Sequence, residues 1–507
     1  MKDDRTSNAT RNVAFGIILK VVAIIFPFII RTVMLYVMGS EYVGLNSLFT
    51  SILSFLSLAE LGVGQALVYS MYKPIAENDI RSISALLNLY KKLYRLIGTI
   101  ILIVGVAIVP FLSSLVKGSC PNEINLYILY GIYLFNTIAS YWLFGYKQSL
   151  LIAHQRSDIV SKRSLIIQTS MYVAQIIVLF ATKNYYIYIV LLPIFTVITN
   201  IANSIIVDKM YPEIKCIGRV EKAVEDSIKK KVIALFGTKA NSVVMHALDN
   251  IIISAFLGLT IVAKYGNYYY IMNSIIGIMT ILYSSITAGL GNTLIVDSKE
   301  KVYKDFKALT FMNAWMVAFC TTSLLCLYQS FMKLWVGTEL LLDMKVVLLL
   351  VIYFYVYQIR RMVLTYKDAG GIWWEDRFRP YVMMITNLVG NVILVQVIGL
   401  YGVILSTIIA MCVSWPWENY TLFKHIFKMP LIEYYFTLLK HIAMTAICCG
   451  ITWLLCSTFV DGVLGLCLRA LVCVLVPNIL YMVIFHKTEE FSYVRIKVES
   501  LFRKCIK

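Results

Sequence analysis

Two cations stand inside the first long apolar stretch, KVVAIIFPFIIRTVMLYVMG (20–39): Lys20 opens it and Arg31 lies deep within. An arginine at the centre of a hydrocarbon-spanning helix costs about 2.5–3.5 kcal/mol on insertion scales, so a residue kept there points to chemistry. Eleven residues carry an α-helix through about three revolutions, which places Lys20 and Arg31 on one face with Pro27 between them. The chemistry open to that face is anion recognition, because a guanidinium grips phosphate bidentately and does not lose its charge by deprotonation. Plainer roles stand beside it: Lys20 reaching back to the interface or pairing with a carboxylate, and Arg31 satisfying backbone carbonyls.

A later stretch, TKANSVVMHALDNIIISAFLG (238–258), repeats the spacing. Lys239 and Asn250 lie 19 and 8 residues before Gly258, as Lys20 and Arg31 lie 19 and 8 before Gly39. Lys239, His246 and Asn250 share a helix face, and Asp249 flanks it. Two polar stripes at equivalent positions imply a parallel repeat of six spans, related by an axis along the membrane normal, with a cavity between the halves. His246 reads equally as a core histidine or a cavity residue. Asp249 is either a proton or cation site or a partner of Lys239.

The elements that must position these groups are membrane helices. The chain has 507 residues, 60% hydrophobic and 15% charged, with a mean hydropathy of +0.77. That composition excludes an ordinary soluble protein. Apolar runs long enough for a bilayer of about 30 Å occur near 13–38, 45–71, 94–116, 125–146, 164–182, 186–207, 236–257, 265–290, 309–330, 345–366, 380–398, 402–421, 439–459 and 465–485. The fold class expected is therefore an all-α polytopic membrane protein of about 14 transmembrane helices, in two six-helix lobes around a central cavity plus two C-terminal helices. The first apolar run is too long for a signal-peptide core and is expected to remain as a helix.

The net charge of +18 raises nucleic acid as a partner. Its distribution says otherwise. Outside the first span, only Lys117, Lys183, Lys264, Lys333, Lys345 and Arg469 of the 46 Lys and Arg fall on one side of the membrane. The rest occupy the N-terminus and alternate loops, which assigns both termini to the cytoplasm and explains the excess as a topology signal with contact to anionic lipid. On this count Arg360 and Arg361 are topological cations. The eleven cysteines lie mostly inside apolar runs, with no spacing that suggests a metal or a disulfide framework. The expected organisation is an N-lobe (1–207, helices 1–6), a cytoplasmic amphipathic linker (208–235), a C-lobe (236–421, helices 7–12), and C-terminal helices 13–14 with a cytoplasmic tail (422–507). In the linker, Ile217, Val220, Val224, Ile228 and Val232 recur at helical spacing, and Glu225 and Lys229 stand four apart.

Further polar residues within spans are candidate cavity lining: Glu60 and Gln65, Gln168 and Gln175, Asn267 and Asn273, Asn387 and Asn391. Measured from a turn near Glu41, Lys20 lies about 31 Å down one helix, Glu60 about 28 Å down the next and Arg31 about 15 Å. Lys20 and Glu60 could therefore pair, leaving Arg31 without that carboxylate.

The segment GSEYVGLNSLFTSILSFLSLAELGVGQALVYSMYKPIAENDIRSISALLNLYKKLYRLIG (39–98) resembles the N-terminal signature of Wzx-type lipid-linked oligosaccharide flippases. These form part of the polysaccharide transport branch of the multidrug/oligosaccharidyl-lipid/polysaccharide exporter superfamily. YKQSLLIAHQRSD (146–158), DNIIISAFLGLTIVAKYGNYYYI (249–271), LWVG (334–337) and EDRFRPYVMMITNLVGNVILVQVIGLYGVILSTIIA (375–410) extend the resemblance over nearly the whole chain. One departure is TAGLGN (287–292), where T-x-S-I-G-N is more usual.

The resemblance implies two helical lobes around a cationic cavity and alternating access. The substrate would be an undecaprenyl-pyrophosphate-linked repeat unit carried from the cytoplasmic to the outer leaflet of the bacterial inner membrane. Arg31 would hold the pyrophosphate, with Lys239 and Lys20. Asn250, Asn267 and Asn273, with His246, would meet sugar hydroxyls, and Asp249 and Glu60 would couple transport to a proton or cation gradient. No enzyme and no cofactor is expected. Partners would be the lipid-linked oligosaccharide, membrane lipids, and a polysaccharide polymerase with chain-length machinery, but not nucleic acid. The main rival is a cation-coupled multidrug extruder of the same superfamily, for which a carboxylate in the first span would be expected. A polymerase or ligase would need a large outer loop, and none here is long enough.

Overall fold

In the computed structural model, residues 2–60, 62–118 and 120–495 are described. Every described element is a helix, as the apolar runs require: in a bilayer the backbone must satisfy its own polar groups. The chain divides into two compact units, one up to Ala263 and one from Lys264.

The first unit holds α1 (Lys2–Val37), α2 (Ser40–Leu56), α3 (Val63–Ala76), α4 (Ile80–Ile108), α5 (Leu126–Trp142), α6 (Gln148–Ala153), α7 (Ser157–Thr182), α8 (Tyr185–Met210) and α9 (Lys222–Leu257). Here α1 lies along α7, α5 along α8 and α2 along α9. The expected second span is broken. After α2 the chain tightens into a single 3₁₀ turn, Ser57–Glu60, then passes through Gly62 at φ +88° into α3. That left-handed backbone suits a residue without a Cβ. Starts elsewhere are set by side chains: Asp79 Oδ1 accepts from the Ser82 amide, and Asn125 and Asn184 cap α5 and α8 in the same way.

The second unit holds α10 (Leu259–Val296, whose first turn belongs to the first unit), α11 (Lys299–Val336), α12 (Met344–Ile359), α13 (Arg361–Ala369), α14 (Arg379–Ile398), α15 (Leu400–Leu422), α16 (Ile432–Cys456) and α17 (Val463–Phe485). Helices α14 and α15 form a closely packed hairpin. A Cβ on Gly402 would stand 2.3 Å from the Leu394 carbonyl oxygen, so only glycine allows this approach. Helices α16 and α17 pack on α11 around buried Phe311, Ala318, Met444, Cys448 and Tyr481.

Among the described residues, eleven helices are long and apolar enough to cross a membrane, or twelve if the pair bent by 47° at α5–α6 is one span. Of the fourteen expected spans, the other two are the segment broken at Ser57–Glu60 and the apolar end of α9, Val243–Leu257. The chain is an all-α multi-pass membrane protein. One boundary differs from expectation. The amphipathic segment does not stand apart as a linker: from Lys222 it runs as one 36-residue helix into the seventh span. Its ion pair is present, with Lys229 Nζ 2.9 Å from Glu225 Oε1.

Candidate functional site

In the first unit, α2 receives polar side chains from two helices. From α1, Arg31 reaches the Ser47 hydroxyl at 3.5 Å and donates to the Ala263 carbonyl at 3.3 Å. From α9, Asn250 donates to the Ser51 hydroxyl at 2.9 Å. Ser47 and Ser51 are four apart, so they stack on one face of α2. The positions matched by sequence spacing thus converge on a common seam. Gly39 and Gly258, from which those spacings were counted, have φ 105° ψ 172° and φ 92° ψ 169°.

The seam is polar and partly closed. Arg31 is half-buried, and Asp249 on the same helix as Asn250 is 5% exposed. Asn250 Oδ1 is a buried acceptor with no hydrogen-bond partner among the described residues. It is suited to a hydroxyl donor. Arg31 in this arrangement makes a contact of the backbone-carbonyl kind weighed against anion binding.

Glu60 and Lys20 do not pair. Glu60, at the break in the second span, accepts from the Tyr94 hydroxyl through Oε1 at 2.7 Å and from the Tyr141 hydroxyl through Oε2 at 2.9 Å. Tyr90 in turn donates to Tyr94 at 3.1 Å. Neutral donors from α4 and α5 therefore hold this carboxylate, while Lys20 is exposed on α1. Counted along their helices the two stand at similar depths, but Tyr94 and Tyr141 stand nearer the carboxylate. The side chains of Lys239 and His246 lie outside the described residues.

The asparagines of the second unit differ in exposure. Asn267 is buried within it. Asn387 and Asn391 are equally enclosed: Asn387 donates to Thr407 at 2.9 Å and Asn391 to Asn387 at 3.3 Å, which binds α14 to α15. Asn273 is exposed on α10.

Arg360 is also more than a topological cation. It is 3% exposed and donates to Glu418 at 2.7 Å and to the Met411 carbonyl at 3.0 Å. Arg379 bridges the same Glu418 oxygen at 2.7 Å and Asp376 at 2.6 Å, and Lys367 closes the set on Asp376. Three cations and two carboxylates are thus sealed inside the second unit, tying α12 and α13 to α14 and α15. The signal that could have found them was Glu418, an ionisable residue in an apolar run. A second group that sequence spacing missed is Cys326, Cys456 and Cys473, whose Sγ atoms all lie within 4.8 Å of one another. They come from three helices and pack with Leu327 and Val472.

No family model matches the chain, and no curated protein matches it by sequence. Solved structures do match. The lipid II flippase MurJ in an inward closed conformation superposes with a TM-score of 0.66 at 13% identity, over 94% of this chain and 99% of that one. The fold is that of the MOP-superfamily transporters. An inward-facing multidrug resistance MATE transporter of the MOP superfamily matches with a TM-score of 0.57 at 14% identity, over 78% of this chain and 94% of its own. A MOP-superfamily transporter from Pyrococcus furiosus, described as having a binding pocket of reversed polarity, matches with a TM-score of 0.56 at 12% identity, over 82% and 96%.

Proposed function

We propose that the protein is a flippase that moves undecaprenyl-pyrophosphate-linked oligosaccharide repeat units from the cytoplasmic to the outer leaflet by alternating access, for surface polysaccharide synthesis. The observation that carries this reading is Arg31: a permanent cation within the first span, partly buried and in contact with the Ser47 hydroxyl and the Ala263 carbonyl. A diphosphate cannot cross hydrocarbon unaided, and a guanidinium in a polar seam compensates its charge without proton exchange. The open acceptor on Asn250 suits a sugar hydroxyl. In this reading Lys239 and Lys20 would add positive charge, and His246 and Asn273 would meet the glycan. Full-length likeness in fold to a lipid II flippase supports a lipid-linked substrate. Asp249 and Glu60 are the coupling carboxylates. The protein sits in the bacterial inner membrane with both termini cytoplasmic, upstream of a polysaccharide polymerase and its chain-length machinery.

Arg31→Ala tests this reading directly. In a strain deleted for the gene and complemented with the variant at normal membrane abundance, export of lipid-linked repeat units should fall at least tenfold. Unchanged export rejects the role.

One observation favours a second reading, a cation-coupled multidrug extruder. Glu60 offers a carboxylate at a helix break, where an organic cation would be drawn. Broad drug hypersensitivity of the deletion strain, with surface polysaccharide intact, would select that reading instead.

A further inference from the structure

The first unit carries a second polar recess, far along the chain from Arg31. Its walls are the end of α3, the first turns of α4, and the segment leading into α9, and it encloses about 950 Å³. That lies within the ~300–1,000 Å³ typical of small-molecule sites. By the cation distribution, this face is cytoplasmic.

Four cations line the recess: Lys73, Arg81, Arg219 and Lys231. Only two carboxylates do, Glu213 and Glu221. Lys73 is engaged by Glu77 at 3.8 Å, and Lys231 lies over the Tyr69 ring at 4.3 Å. Arg81 and Arg219 make no ion pair among the described residues. Both are anchored at the backbone. Arg219 follows Gly218, which is at φ +87° and is clamped by Asn88 Nδ2 donating to its carbonyl at 2.8 Å. Arg81 stands in the first turn of α4, fixed by the Asp79 cap. That cap already satisfies the helix end, so any anion here depends on the side chains. Hydroxyls of Ser82 and Ser84 stand beside them, and exposed Ile80 and Ile217 give the rim an apolar edge.

The geometry points to a diphosphate-binding site in this recess, with Arg81 and Arg219 as the two guanidinium forks. Paired forks on separate anchored segments match the two charged ends of a diphosphate, and each contact is charge-assisted. The diphosphate comes either from the head of an isoprenoid lipid or from a free soluble ion. The apolar rim favours the lipid, for which the recess is a docking point before translocation. Only that choice of source rests on the flippase reading.

The test is equilibrium binding of inorganic pyrophosphate and of farnesyl diphosphate to the purified full chain in nanodiscs. Binding should weaken at least tenfold in the Arg81→Gln/Arg219→Gln double variant and fall with rising salt. It should be unchanged in Lys487→Gln, an exposed cation outside the recess. Both arginines are exposed, so the double variant should keep the parent's thermal unfolding and elution profile. Tighter farnesyl diphosphate binding assigns the lipid source; equal or tighter pyrophosphate binding assigns the soluble one. Binding of neither probe, or binding that the double variant leaves intact, overturns the site. Export that survives Arg31→Ala would sink the flippase reading and leave this binding result standing.

Discussion

Gly39 and Gly258 hold almost the same rare backbone conformation, φ 105° ψ 172° and φ 92° ψ 169°, each at the end of a 36-residue helix. Only glycine adopts that region without strain. The two breaks fix the register at which Arg31 and Asn250 meet Ser47 and Ser51 on α2.

Gly39→Ala and Gly258→Ala should each destabilise the protein by about 1–3 kcal/mol. The second should cost more, because its Cβ would stand 2.9 Å from the Lys117 carbonyl oxygen, whereas nothing crowds Gly39. Thermal unfolding of the two variants in the same detergent checks the order.

Removing the charge of Glu60 should separate transport from its driving gradient. Glu60→Gln keeps the size of the side chain but replaces one tyrosine-accepting oxygen with a donor. Export should then lose its dependence on an imposed ion gradient in proteoliposomes. Tyr94→Phe and Tyr141→Phe, each deleting one donor to the carboxylate, should give intermediate losses. A gradient response identical to the parent in Glu60→Gln would remove Glu60 from the mechanism.

Glu418→Gln should be among the most damaging single changes in the second unit. It strands buried Arg360, which shares one Glu418 oxygen with Arg379, and leaves Arg379 with Asp376 alone. Breaking a buried ion pair by neutralising one partner costs about 3–5 kcal/mol. Reduced membrane abundance and a lowered unfolding midpoint should follow. Glu433→Gln is the control: it meets Lys307 at a side chain 61% exposed and should cost under about 1 kcal/mol.

Gly402→Ala should force α14 and α15 apart, since a Cβ there would overlap the Leu394 carbonyl. Overpacking of this kind costs about 1–3 kcal/mol. A disulfide-trapping assay between cysteines placed on the two helices should report slower cross-linking than in the parent.

Much of the architecture was legible because the bilayer makes composition decisive. A 30 Å slab admits helices of known length, so the apolar runs announced nearly every helix. The second span was legible as apolar but not as broken: GVG at 62–64 marks flexibility, and only the packing of Glu60 against α4 and α5 shows where the bend falls. The spacing of Lys20, Arg31, Lys239 and Asn250 was legible as a match between two helices that each end at a glycine of similar backbone conformation. It did not show that Arg31 meets a carbonyl, because that carbonyl belongs to Ala263, remote in sequence.

The sequence by itself determined that the chain is a helical membrane protein, which loops carry its cations, and that two of its helices bear equivalent polar stripes. Those properties follow from the run length and local periodicity of single segments. Tertiary structure alone decided partnership: Glu60 with tyrosines, Arg360 and Arg379 with Glu418, and Asn387 with Thr407. In low dielectric a buried polar group must find a partner wherever the fold brings one. Which group arrives first depends on how distant helices pack, and no local spacing carries that information.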